Sequence, residues 1–152
     1  MSTGERLAAL GLTLPPVAAP VAAYVPAVRY GDLVQTSGQL PLVGGAVTVT
    51  GKVGAGVSPE EATAAARTCA LNALAAVADL VGDLDEVVRV VKVTGFVASD
   101  PSFTGQPGVV NGASELLGEV FGDAGRHARS AVGVPVLPLD AAVEVELLVQ
   151  VR

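Results

Sequence analysis

The chain has 152 residues, of which 51% are hydrophobic and only 3% aromatic, with a formal net charge of −6. That length suits one domain with a sizeable core and no need of a disulfide or metal staple. The excess of acid argues against a broad nucleic-acid surface, because affinity for a phosphate backbone rests on many Lys and Arg contacts.

Residues 1–23 read as a short helix, "GERLAALG", followed by a Pro-rich arm. From Tyr24 the pattern turns to strands, and residues 24–152 are expected to form the domain proper. In "YVPAVRYGDLVQTSGQ", Arg29 to Asp32 predict a turn between two extended runs. Gly44, Gly45 and Gly51 punctuate a looser hairpin-like region, with a third short strand between them. The segment 58–82 is the clearest element. Ser58 can cap a helix, Pro59 suits its first position, Glu61 completes a capping box, and Gly82 supplies the stop. The β-branched run "VVRVVKVTGFV" follows as a strand. A second helix is expected from about Pro107 to Phe121, then strands over His127 to Val134 and Ala142 to Val151. This order predicts an α+β domain, two helices packed on one face of a mixed sheet.

Read with strict alternation, "EVVRVVKVTGFV" is apolar on both faces: Val88, Val90 and Phe96 on one, Val87, Val91, Val93 and Val97 on the other. Helices cover one face, so the other is expected to be covered by further copies of the chain. No basic n-region precedes a long apolar core near the start, and no segment reads as membrane-spanning. Cys69 is the one cysteine, which excludes an intrachain disulfide and fits a reducing compartment. A cytoplasmic protein is expected.

Most catalytic patterns fail on residue type. "GGAVTVTGKVG" has the wrong spacing for a P-loop, and Val53 stands where Ser or Thr is required. One His and one Cys cannot make a tetrahedral zinc site, so no metal or cofactor is expected. "TSGQ" around Ser37 lacks a nucleophile elbow. Cys69 falls in the apolar register of the first long helix and reads as a small core residue.

The segment "GRHARSAVGV" is different, because it sets cationic groups at the mouth of an apolar strand. Alternation puts Arg129 on one face with Ala131 and Gly133. A partly buried guanidinium needs an anion. Two are available: a structural Asp or Glu, or a carboxylate ligand held bidentately. On the last strand, Glu144 and Glu146 share a face opposite Val143, Val145 and Leu147. Alone they read as a solvated edge. Covered by a neighbouring subunit, one of them becomes an enclosed carboxylate able to act on water as a general base.

"YVPAVRYGDLVQTSGQLP", "VVRVVKVTGFVAS", "VVNGASELL" and "ARSAVGVPVLPLDAAVEVE" follow one another in an order that resembles the Rid family, also called YjgF-like proteins or reactive intermediate deaminases. The resemblance runs from about Tyr24 to the end. It implies a chorismate-mutase-like α+β fold, a homotrimer, and ligand clefts between subunits. It also implies hydrolysis of reactive enamines and imines of the 2-aminoacrylate type to 2-oxo acids and ammonia. By resemblance, Arg129 grips the substrate carboxylate, Glu144 positions the attacking water, and Tyr24, Ser37, Gly38 and Asn111 line the cleft. An imine is already electrophilic, so orientation and one activated water suffice. A non-catalytic small-molecule binder using the same cleft is the alternative. RNA cleavage, an activity attached to the family name, fits the acidic balance and few aromatics poorly. The chain departs from the best-known branch at Gly133, where that branch tends to carry a glutamate, in the N-terminal arm, and in "LVGGAVTVTGKVGAG".

Overall fold

A computed structural model describes residues 1–20 and 22–152; Val21, in the Pro-rich arm, lies outside the described residues. The elements in chain order are α1 (Thr3–Ala9), β1 (Ala27–Tyr30), β2 (Leu33–Thr36), β3 (Leu42–Val43), β4 (Ala46–Val47), α2 (Pro59–Val81), β5 (Val87–Ala98), α3 (Gln106–Phe121), β6 (Ala128–Val134) and β7 (Val143–Val151). Five strands form one sheet in the order β1-β2-β7-β5-β6, and β3 pairs with β4 as a separate small hairpin. Among the described strands, only β5 and β6 run parallel to each other. Parallel neighbours need a crossover connection, and α3 supplies it. The chain thus has the mixed sheet with helices on one face that its element order predicts.

α2 begins as its sequence dictates. Ser58 Oγ accepts from the Glu61 amide, and the Glu61 carboxylate accepts from the Ser58 amide at 2.9 Å. Its inner face is almost all small: Ala62, Ala65, Ala66, Cys69 and Ala73 are fully buried. The 23-residue helix is long and apolar enough to cross a bilayer by length and composition. In the fold, that apolar stripe is spent on the sheet and on α3. Burial pushes the Cys69 thiol well above its usual range, consistent with an inert core residue.

α2 and α3 approach closely at Gly112, where a Cβ would overlap the Thr63 carbonyl oxygen. Backbone cannot yield as a side-chain tip can. Gly112→Ala is therefore expected to cost about 1–3 kcal/mol by overpacking, read as a lower midpoint in urea with an unchanged slope. α1 docks on the same layer: Leu7 is buried in the core, and the Thr3 hydroxyl and amide both donate to Asp85 Oδ1 at 2.8 Å.

Strict alternation fails along β5. Register shifts fall between Val87 and Arg89 and between Val90 and Lys92, the signature of β-bulges. The shift between Val90 and Lys92 turns Val90 inward and the one between Val87 and Arg89 turns Val87 inward, so Val87, Val90, Val93, Gly95 and Val97, with Ala98 at the strand end, are the buried set. The expectation of an apolar stripe on both faces is thereby corrected. The face away from the helices carries Arg89, Lys92, Thr94 and Phe96 of β5 beside Glu144, Glu146 and Leu148 of β7. It is amphipathic rather than oily.

Candidate functional site

The six residues singled out in the sequence fall into two clusters on opposite sides of the sheet. β6 is an edge strand, and Arg129 pairs with Val93, a core residue, so its side chain points to the helix side. There it meets α3. Nη1 donates to Asn111 Oδ1 at 2.7 Å and to Ser114 Oγ at 3.2 Å, and Nη2 donates to the Pro107 carbonyl at 3.2 Å. Positions 107, 111 and 114 recur at helical spacing and so present one face of α3 to the strand. Every partner is neutral. The ion pairs among the described residues are Lys52–Asp140, Arg67–Glu119 and Arg126–Asp123, none of them involving Arg129. The reading of Arg129 as half of an internal ion pair is thus excluded. Nε and the second Nη2 hydrogen have no partner among the described residues. Those two N–H groups form one edge of the guanidinium, the edge that fits a carboxylate bidentately.

Gly133 faces the same side four residues on. A Cβ there would stand 2.8 Å from Gln106 Nε2, which itself donates to the Phe103 carbonyl at 2.8 Å. A glutamate in this place would have to displace that glutamine.

The second cluster is built on β7. Glu144 pairs with Phe96 on the face away from the helices. β2 and β7 meet at Gln35–Leu148 and again at Gln39–Val145, so one strand gains a residue on the other, as at a β-bulge. Thr36 Oγ1 takes the Leu147 amide at 2.9 Å within this irregular stretch. The bulged segment delivers Gly38 against Glu144, where a Cβ would overlap the carboxylate. Any larger residue here would push the Glu144 carboxylate out of its place. Ser37 turns away: its hydroxyl donates to the Val25 carbonyl at 2.6 Å and its amide to the Pro26 carbonyl at 2.8 Å. It therefore ties down the segment that carries Tyr24.

Tyr24, Pro26, Gly38, Pro138 and Glu144, with Ala18 to Pro20 of the arm, enclose a recess of about 50 Å³. That is several times the roughly 10–15 Å³ one water needs. Desolvation, with the neighbouring Glu146 charge second, pushes the Glu144 carboxyl above its usual range. A carboxylate with raised affinity for protons beside a water-sized recess is equipped to take a proton from water.

Within one chain, then, Arg129 is joined by Asn111, and Glu144 by Gly38 and Tyr24, with the sheet between the two sets. Sequence reasoning missed Ser114 and the Pro107 carbonyl, although both stand in helical register with Asn111. It also missed the part of the arm that walls the recess.

A crossover helix thus holds an arginine on an edge strand, and a glycine-backed glutamate stands on the far face. Residues 4–151 match the family described as "YjgF/chorismate_mutase-like, putative endoribonuclease". Among curated proteins, Protein TCP17 of Trypanosoma cruzi is 51% identical over 150 residues, covering 97% of this chain and 92% of that protein. A crystal structure of a protein of unknown function from Agrobacterium tumefaciens is 47% identical with a TM-score of 0.92, covering 99% of this chain and 92% of the other. The E. coli YjgF gene product superposes with a TM-score of 0.63 at 28% identity, over 90% and 94% of the two chains. The chain belongs to the YjgF/chorismate-mutase-like family.

Proposed function

We propose that the protein hydrolyses small enamine and imine acids to 2-oxo acids and ammonia, in clefts formed where Arg129 of one subunit meets Glu144 of the next. The observation that carries this reading is the guanidinium of Arg129. It is partly buried, unpaired with any carboxylate, and keeps one bidentate edge unengaged. A desolvated cation in that state is matched by an anionic ligand. The two clusters lie on opposite faces of the sheet, so only a second copy can bring base and cation to one substrate. A homotrimer with three such clefts is the assembly proposed.

In the cleft, the substrate carboxylate lies on Nε and Nη2 of Arg129, which orients the imine carbon. Glu144 takes a proton from a water held in its recess, and the water oxygen bonds to the imine carbon as the C=N π electrons move to nitrogen. The tetrahedral carbinolamine receives that proton on nitrogen. Glu144 next takes the hydroxyl proton and passes it to the amine nitrogen, the carbonyl forms from the freed O–H electron pair as the C–N bond breaks, and ammonia and the 2-oxo acid leave. The sum is imine plus water. Burial of Glu144 suits this role, because it raises the carboxylate's affinity for protons above that of a solvated one. The endoribonuclease part of the family description draws no support from nine Lys and Arg against fifteen Asp and Glu.

The test uses an enzyme that generates 2-aminoacrylate, with 2-oxo acid release followed in the presence and absence of this protein. Faster release is expected. An unchanged rate, with 2-oxo acids still bound, would make the protein a binder instead. The intersubunit site has a sharper test in complementation. Arg129→Ala and Glu144→Gln chains are each expected to be inactive. Unfolded together and refolded, they are expected to regain turnover, because roughly a quarter of the clefts in random trimers combine the two intact residues. Mixed trimers without activity would place the site elsewhere, and a stable monomer at micromolar concentration by light scattering would exclude it.

A further inference from the structure

His127, the one histidine of the chain, has no part in the chemistry above. It stands just before β6, and both ring nitrogens are engaged. Nδ1 lies 2.6 Å from the Gly125 carbonyl oxygen and Nε2 lies 2.8 Å from Ser114 Oγ. A carbonyl only accepts, so Nδ1 carries a hydrogen. Ser114 Oγ accepts from Arg129 Nη1 at 3.2 Å, and in a neutral ring with its hydrogen on Nδ1 the bare Nε2 accepts the Ser114 proton. The result is a directed chain from Arg129 through Ser114 and His127 to Gly125. Its far end is rigid: a Cβ on Gly125 would overlap the Leu117 carbonyl oxygen, so this turn lies against the backbone of α3. Asn111 and Ser114 together occupy both hydrogens of Nη1, and this decides which edge of the guanidinium faces outward.

We propose that His127, as the neutral tautomer protonated on Nδ1, is a positioning residue that acts through Ser114 to hold the Nε/Nη2 edge of Arg129 toward the ligand. This rests on the reading of Arg129 as a carboxylate clamp. The side-by-side members of such a chain polarise one another, and a guanidinium with one nitrogen saturated has fewer orientations to lose when a carboxylate binds.

Two measurements test it. The first needs no ligand. With one histidine, the imidazole ¹⁵N signals of the assembled protein at pH 7.5 belong to His127 alone. A fixed neutral ring with the hydrogen on Nδ1 is expected. The opposite tautomer, an exchanging pair or an imidazolium would overturn the proposal. The second titrates 2-oxobutanoate into the wild type and variants by calorimetry, with light scattering and circular dichroism as fold controls. Ser114→Ala and His127→Asn are expected to weaken binding about three- to tenfold, the worth of one hydrogen bond. His127→Gln should recover most of the loss, because its amide oxygen can accept from Ser114, whereas asparagine reaches only the Gly125 carbonyl. Wild-type affinity in Ser114→Ala, or better rescue by Asn than by Gln, would overturn the relay while leaving the clamp intact. An Arg129→Ala protein that binds like wild type would overturn both.

Discussion

Arg129→Ala is expected to lower kcat/KM for a small imine acid about ten- to a hundredfold. A charge-assisted, bidentate contact in a shielded cleft is worth roughly 1.5–3 kcal/mol, and each 1.36 kcal/mol is tenfold in rate. Arg129→Lys should restore little. An ammonium is a point donor, and it could not satisfy Asn111, Ser114 and the Pro107 carbonyl while still offering two parallel N–H groups to a carboxylate. Arg126→Ala is the matched control. Its side chain is 85% exposed and reaches only Asp123, at 3.7 Å, so it should stay within twofold of wild type, the range of a solvated surface pair. Because Arg129 forms no ion pair among the described residues, its removal should leave the chain folded. Wild-type turnover in a folded Arg129→Ala protein would end the clamp reading.

Glu144→Gln is expected to act in two directions at once. Turnover should fall about a hundredfold or more, the usual contribution of a positioned general base. Stability at neutral pH should rise. Desolvation and Glu146 raise the folded-state carboxyl above its usual range, so the native chain binds this proton more tightly than the unfolded chain does. Between the two values the native state holds more protons, and stability is lost as pH rises through that window. An uncharged isostere avoids that loss. The variant should therefore melt above wild type at pH 7 to 8, with the difference shrinking as pH falls to the ordinary carboxylate range. Equal melting at both pH values would show that Glu144 is solvated in the assembled protein. A variant that keeps wild-type turnover would remove Glu144 from the reaction.

These two residues also show how far local pattern reaches. Alternation in "HARSAVGV" and "AAVEVELLV" correctly puts Arg129 beside Ala131 and Gly133, and Glu144 beside Glu146. Nothing local says whether those two faces coincide. That depends on strand order, which sets β5 between β6 and β7 and sends the pair to opposite sides of one sheet. The same limit explains Val90. A period of two predicts it outward with Phe96, yet the bulge between Val90 and Lys92 turns it into the core. A bulge is a property of the pairing and not of one strand.

The sequence by itself determined what short-range chemistry controls. Ser58, Pro59, Glu61 and Gly82 bound α2 where their capping and stop preferences place it. Gly31, at φ 62°, turns β1 into β2. Small residues on α2 prepare a close helix pair. Only the tertiary structure decided which distant groups meet. The crossover from β5 to β6 lays α3 along the edge strand, bringing Asn111 and Ser114 to Arg129, and Ser114 to His127. The bulge beside Gly38 seats a bare Cα against Glu144. Such meetings join residues many positions apart, each through a contact of about 3 Å, and no window of sequence is long enough to contain both partners and the sheet that aligns them.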